Sequence, residues 1–133
     1  MEASLEDFPP ALPGGVVLDQ AYGVSAKCMS ALILKAGSPF VQEFLTTQKT
    51  TEYAEEPWRN AKNDNIQRVV TYIKAATKMI KAVKATETQT CRRLDDRGFV
   101  VDVSCATPDV PYGSCFLVEL QVYISVRSLV EIE

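Results

Sequence analysis

The sequence predicts an α+β domain in which two short N-terminal helices precede a curved antiparallel sheet. Ser25 and the Ser38-Pro39 pair are strong helix starts, and each is followed by apolar residues at helical spacing. Four later stretches rich in β-branched and aromatic residues succeed one another at separations that permit only hairpins. Two of those stretches carry apolar residues on both faces, more than two small helices can cover. Such a sheet has to bend over a helix or enclose an apolar cavity, because a large exposed patch invites association.

A chain of 133 residues fits one domain, large enough to bury roughly two thirds of its unfolded surface. The net charge of −3 argues against a nucleic-acid partner, since binding driven by counterion release needs clustered Lys and Arg. No apolar run approaches the roughly 20 residues of a bilayer-spanning helix. Met1–Pro13 lacks the basic start and apolar run of a signal peptide, so a soluble chain is expected. Cys28, Cys91, Cys105 and Cys115 form no CxxC pair, and three of them lie in apparent strands, which suggests free, buried, reduced thiols. Two disulfides in a secreted chain are the weaker alternative.

Met1–Gly15, with its acidic residues, three prolines and Gly14-Gly15 pair, reads as a flexible linker ahead of a domain over 16–133. Val16–Tyr22 has strand composition. Ser25 then caps a helix over Ala26–Leu34, with Cys28, Met29, Leu32 and Ile33 on one face. Lys35-Ala36-Gly37 ends it. Ser38 and Pro39 restart a helix whose apolar stripe is Phe40, Val41, Phe44 and Leu45. Thr46–Asn65 is polar and reads as loop with room for one edge strand. Strands follow at Gln67–Lys74, Lys81–Arg92, Gly98–Ala106 and Ser114–Ser125. Alternation puts Phe99, Val101, Val103 and Cys105 on one side of the third, and Phe116, Val118, Leu120, Val122 and Ile124 on one side of the fourth. Val126–Glu133 has the composition to begin one more strand.

Several blocks together resemble a known family. Ser38–Leu45, Pro57-Trp58, Arg68–Lys74, Glu87-Thr88-Gln89-Thr90 and Thr107–Gly113 occur with the order and spacing of the VASt domain, the StART-like module of Aster and Lam proteins and of plant GRAM-domain proteins. The plant branch looks most similar. The resemblance implies a helix-grip fold whose curved sheet wraps an apolar cavity for a sterol or related lipid. It also implies lipid exchange at contacts between the endoplasmic reticulum and another membrane. In the family a long C-terminal helix closes the cavity; this chain stops at Glu133 without one and reads as C-terminally truncated. The Lys35, Ala36, Gly37, Ser38, Pro39 loop corresponds to a lid at the cavity mouth.

The chain has no histidine, which removes the commonest general base and metal ligand. No phosphate-cradling loop or zinc-spaced cysteine set appears, so neither cofactor, metal nor enzymatic activity is expected. The expected function is noncovalent sterol binding and transfer. Phe40, Phe44, Tyr72, Phe99, Val101, Phe116, Val118 and Leu120 are the candidate lipid-binding residues. Lys74, Lys78, Lys81 and Lys84 concentrate positive charge around one turn, either as a docking patch for an anionic membrane or as a solvated hairpin end. Trp58 reads as packing of its loop onto the sheet rather than as a membrane anchor. Thr107–Gly113 reads as a strand-reversing turn. The alternative function is a protein-interaction module without a cavity, recruiting a partner or a second copy through an exposed sheet.

Overall fold

The strand-forming residues after Asn65 pair in sequence order, because each turn between them is too short to permit any other arrangement. In the computed structural model, which describes residues 12–19, 21–95, 98–110, 113 and 117–125, they form one curved antiparallel sheet. Its strands are β1 (Thr51–Glu55), β2 (Arg59–Asn60), β3 (Ile66–Lys74), β4 (Val83–Asp95), β5 (Gly98–Ala106) and β6 (Val118–Ser125). The order is β1-β3-β4-β5-β6, and β2 shares the outer edge of β3 with β1. A bulge between Thr51 and Ala54, with Glu52 at φ 53°, bends β1 across that edge. The polar stretch expected as loop with one edge strand thus holds two short edge strands.

Helix α1 (Ala26–Leu34) starts where Ser25 Oγ accepts the Cys28 N–H at 3.0 Å. Helix α2 (Pro39–Thr47) opens on the expected proline. Ser38 does not cap it. Its side chain is buried and donates to the Leu32 carbonyl at 2.7 Å, tying the second helix to the end of the first.

The inward stripe of α1 differs from the expected one. Ala26 and Leu34 are buried, and Met29 and Ile33 pack on the core, while Cys28 is exposed and Leu32 is 38% exposed. The stripe is rotated because the small Ala26 allows close approach at one end and the sheet holds the Leu34 carbonyl at the other. Cys28 is therefore not the buried thiol expected. On α2, Val41 and Leu45 are half-buried, whereas Phe40 and Phe44 are exposed.

Val16–Tyr22 forms no strand among its described residues, and Val16, Val17 and Leu18 stand largely exposed. Strand composition yields a strand only where an edge is available to pair, and here the segment pairs with none. Gly98–Ala106 matches the expected strand in full. β6 begins at Val118, later than the expected Ser114, and the proposed strand over Val126–Glu133 lies outside the described residues. Gly113 is required by its neighbours: a Cβ there would lie 2.1 Å from the Thr107 carbonyl oxygen. That close approach fits the strand-reversing role of the Thr107–Gly113 segment.

The buried core is Leu34 of α1 against Cys91, Phe99 and Val101 of the sheet, with Met29, Ile33, Trp58, Ile66, Val103 and Ile124 around it. Phe99 is fully buried and Leu120 is 54% exposed, although alternation places both on one side of the sheet. Phe99→Ala should destabilise the fold by about 3–5 kcal/mol and Leu120→Ala by under about 1 kcal/mol, read from denaturant midpoints. Equal losses at the two positions would contradict this placement of the core.

Candidate functional site

The register sorts every strand residue onto one of two faces. The inner face, on which α1 packs, carries Tyr72 with Ala85, then Val70-Glu87-Cys105-Val118, then Arg68-Gln89-Val103-Leu120, then Ile66-Cys91-Val101-Val122, and finally Phe99 with Ile124. These rows divide into three regions. The Phe99 end is packed solid beneath α1. The middle of β1, β3 and β4 is polar. The β6 column is apolar and open, with Val118, Leu120 and Val122 exposed by 47%, 54% and 37%.

Arg68 organises the polar region, and it is 3% exposed. Its Nε donates to Gln89 Oε1 at 2.8 Å, and its Nη1 donates to the Leu34 carbonyl at 3.3 Å and lies 3.4 Å from Glu55 Oε2. The guanidinium carbon sits 4.5 Å from the centre of the Trp58 ring, while Trp58 Nε1 donates to the same Leu34 carbonyl at 2.8 Å. Two side chains from the sheet side thereby satisfy the last carbonyl of α1, which has no partner within the helix. Trp58 packs on the sheet, as its sequence context suggests.

The chain of contacts continues on both sides of Arg68. Glu55 accepts the Tyr53 hydroxyl at 2.6 Å and the Gly37 N–H at 2.8 Å. Gln89 Nε2 donates to Glu87 Oε1 at 3.0 Å, and the Tyr72 hydroxyl donates to Glu87 Oε2 at 2.5 Å. Tyr72 also meets Cys105 Sγ at 3.8 Å, and the Tyr53 and Tyr72 rings stack with centroids 6.5 Å apart. Burial, reinforced by the hydrogen bond to Glu55, pushes the Tyr53 phenol well above its ordinary 10.0; burial and the bond to Glu87 do the same for Tyr72. Burial alone pushes the Cys91 thiol up to about 11.

The residues singled out from sequence fall into different settings. Phe99 and Val101 lie in the packed core, Val118 and Leu120 on the open apolar column, and Tyr72 in the polar network. Phe40 and Phe44, a helical turn apart on α2, are both more than half exposed. Phe116 and Cys115 lie outside the described residues. In the loop between the helices, Lys35, Ala36, Gly37 and Pro39 are exposed and Ser38 is buried; Gly37 has φ 68°. Its N–H bond to Glu55 connects that loop directly to the polar network.

Sequence reading did not single out Tyr53, Glu55, Glu87 or Gln89 as site residues. A signal existed in β4, where Glu87 and Gln89 share the parity of buried Ala85 and Cys91 and so had to point inward.

Lys74, Lys78, Lys81 and Lys84 are all exposed on the β3–β4 connection and its flanks. At the tip between them, Met79 is 90% and Ile80 42% exposed. Thr77 shapes the tip: its N–H donates to the Ile80 carbonyl at 2.8 Å and its hydroxyl accepts from the Met79 and Ile80 N–H groups. On the outer face of the sheet a pocket of about 210 Å³ is lined in part by Leu12, Thr88, Thr90, Asp102, Ser104 and Glu119. It is smaller than the roughly 300–1,000 Å³ typical of small-molecule sites, so it does not suit a sterol.

Comparison with known proteins gives a consistent picture. The family model for the VAD1 Analog of StAR-related lipid transfer domain, VASt, matches residues 16–131. A C2 and GRAM domain-containing protein of Arabidopsis thaliana is 44% identical over 119 residues, covering 88% of this chain and 12% of its own length. Protein Aster-A of Homo sapiens is 30% identical and Protein Aster-B of Mus musculus 27%, each covering 86% of this chain and 16% of its own length. The chain thus spans less than a fifth of the length of these relatives.

Arg68→Met should destabilise the chain by about 3 kcal/mol in denaturant unfolding, because Glu55 loses its cation while the Leu34 carbonyl and Gln89 each lose a donor. The phenols supply a pH dependence. Their folded-state values lie above the unfolded value of 10.0, so the stability they contribute is complete below about pH 10 and is lost as pH rises beyond it. Denaturant midpoints should fall above pH 10, and fall less steeply in a Tyr53→Phe/Tyr72→Phe variant. An unchanged slope would argue against this origin.

Proposed function

The chain belongs to the VASt family of lipid-transfer domains, and from that premise we propose that it binds a sterol or related lipid noncovalently and carries it between membranes. The observation that carries the proposal is the open apolar column of Val118, Leu120 and Val122 on the same sheet face as a half-buried polar network. Apolar walls with a few convergent polar groups are the usual makeup of a site for a largely hydrophobic ligand. The fused rings would lie along β6, and the hydroxyl would reach the polar region around Tyr72 and Glu87. The packed Phe99 end would limit how far the ligand enters. The role is one of binding and exchange rather than of catalysis.

The β3–β4 tip would deliver this cargo. An exposed Met79-Ile80 pair among four lysines has the composition for shallow insertion into an anionic leaflet, each lysine contributing about 1 kcal/mol near the surface. Lys74 pairs with Val83 two positions beyond the Tyr72–Ala85 pair, so the tip adjoins the Tyr72 end of the inner face. The site of action would be the cytosolic face of the endoplasmic reticulum or its contacts with other membranes. Among the described residues no helix is long and apolar enough to cross a membrane.

A fluorescent sterol should titrate the chain saturably, and Leu120→Asp should weaken it by at least about tenfold. Absence of saturable binding to a folded chain would defeat the carrier reading. Light scattering of the same sample separates it from the alternative, in which the apolar column of β6 mates with a second copy. For the tip, Lys78→Glu/Lys81→Glu should reduce co-sedimentation with phosphatidylserine-containing vesicles by at least about tenfold, and added salt should reduce binding of the unmodified chain. Binding indifferent to both changes would remove the docking role.

A further inference from the structure

The polar network of the inner face holds two carboxylates, Glu55 and Glu87, and one cation, Arg68. Arg68 is turned toward Glu55, Gln89 and the Leu34 carbonyl, with its guanidinium against Trp58. Among the described residues Glu87 has neutral donors only for hydrogen-bond partners, Tyr72 on one oxygen and Gln89 on the other. The network therefore carries one uncompensated negative charge, centred at Glu87 and partly shielded from water. Both tyrosine hydroxyls spend their protons on carboxylates. What the phenols and Glu87 have left to offer an incoming group is oxygen lone pairs, which accept hydrogen bonds and do not donate them.

We infer that Glu87 makes this face selective for lipids whose polar head is uncharged and donates a hydrogen bond, and rejects lipids whose head is anionic. The inference rests on the carrier reading and adds the chemistry of the head to it. A hydroxyl placed between Tyr72 and Glu87 finds acceptors and introduces no charge. A sulfate, phosphate or carboxylate brings only acceptors and a like charge, and a site of reduced dielectric magnifies that repulsion. Selectivity of this kind comes from repelling the wrong ligand as much as from holding the right one. It would keep the abundant anionic phospholipids out of the site while the lysine tip is drawn to those same headgroups.

The test uses one ring system with two heads, a 3-hydroxysterol and its 3-sulfate, titrated against the full chain and against Glu87→Gln. The unmodified chain should prefer the hydroxysterol by at least about tenfold, and Glu87→Gln should narrow that ratio by at least about tenfold. Thermal unfolding of the variant verifies that it is folded, and the preference of the unmodified chain is read independently of any substitution. Equal binding of the two ligands by the unmodified chain, or an unchanged ratio in folded Glu87→Gln, would overturn the inference and leave the carrier reading standing. Binding of neither ligand would overturn both.

Discussion

A buried guanidinium holds this domain together at the point where helices meet sheet. Arg68 projects inward from β3, where its neighbours Val70 and Ile66 are apolar, and an unpaired charge at that depth would cost several kcal/mol. Its partners come from four separate places: Glu55 on β1, Gln89 on β4, the Leu34 carbonyl at the end of α1 and the Trp58 ring in the β1–β2 link. Satisfying that one side chain fixes the angle at which α1 leaves the sheet. The loop to α2 is then located as well, because Glu55 also takes the Gly37 N–H.

That constraint separates the inner face into regions with different physical roles. The Phe99 end is closed, since Leu34 is brought down onto Cys91 and Val101. The β6 column is packed at its Ile124 end but keeps half-exposed Val118 and Leu120 further along. Between them, the Tyr53-Glu55-Arg68-Gln89-Glu87-Tyr72 chain supplies a polar lining with little mobility, because every member is held by another. Rigid polar groups beside an open apolar strip would position the hydroxyl of the proposed ligand without requiring the lining to reorganise.

The connection between Gly37 and the polar network links the exposed inter-helix loop to the place where a ligand head would sit. A group that competes for Glu55 would loosen the Gly37 hydrogen bond from the sheet to that loop. Ser38 meanwhile stays anchored to the Leu32 carbonyl, so movement would be confined to the few residues around Gly37.

Much of the architecture was legible in the sequence because it follows from local rules. Ser25 and Pro39 start the helices, hairpin spacing sets the strand order, and strict alternation assigns β5 and β6 residues to their faces. Which members of one face are buried was not legible: Phe99 and Leu120 have the same parity, and only the position of α1 distinguishes a core residue from an open one. The failed strand at Val16–Tyr22 and the rotated stripe of α1 have the same origin, since pairing edges and helix rotation are set by distant partners. The polar network was hidden for a related reason. Tyr53, Glu55, Arg68, Tyr72, Glu87 and Gln89 come from three strands as much as 36 positions apart, and alternation says only that each points inward. That they meet, and that Glu87 takes neutral donors while Glu55 takes the arginine, was decided by register across the sheet, a tertiary property that no single stretch of the chain contains.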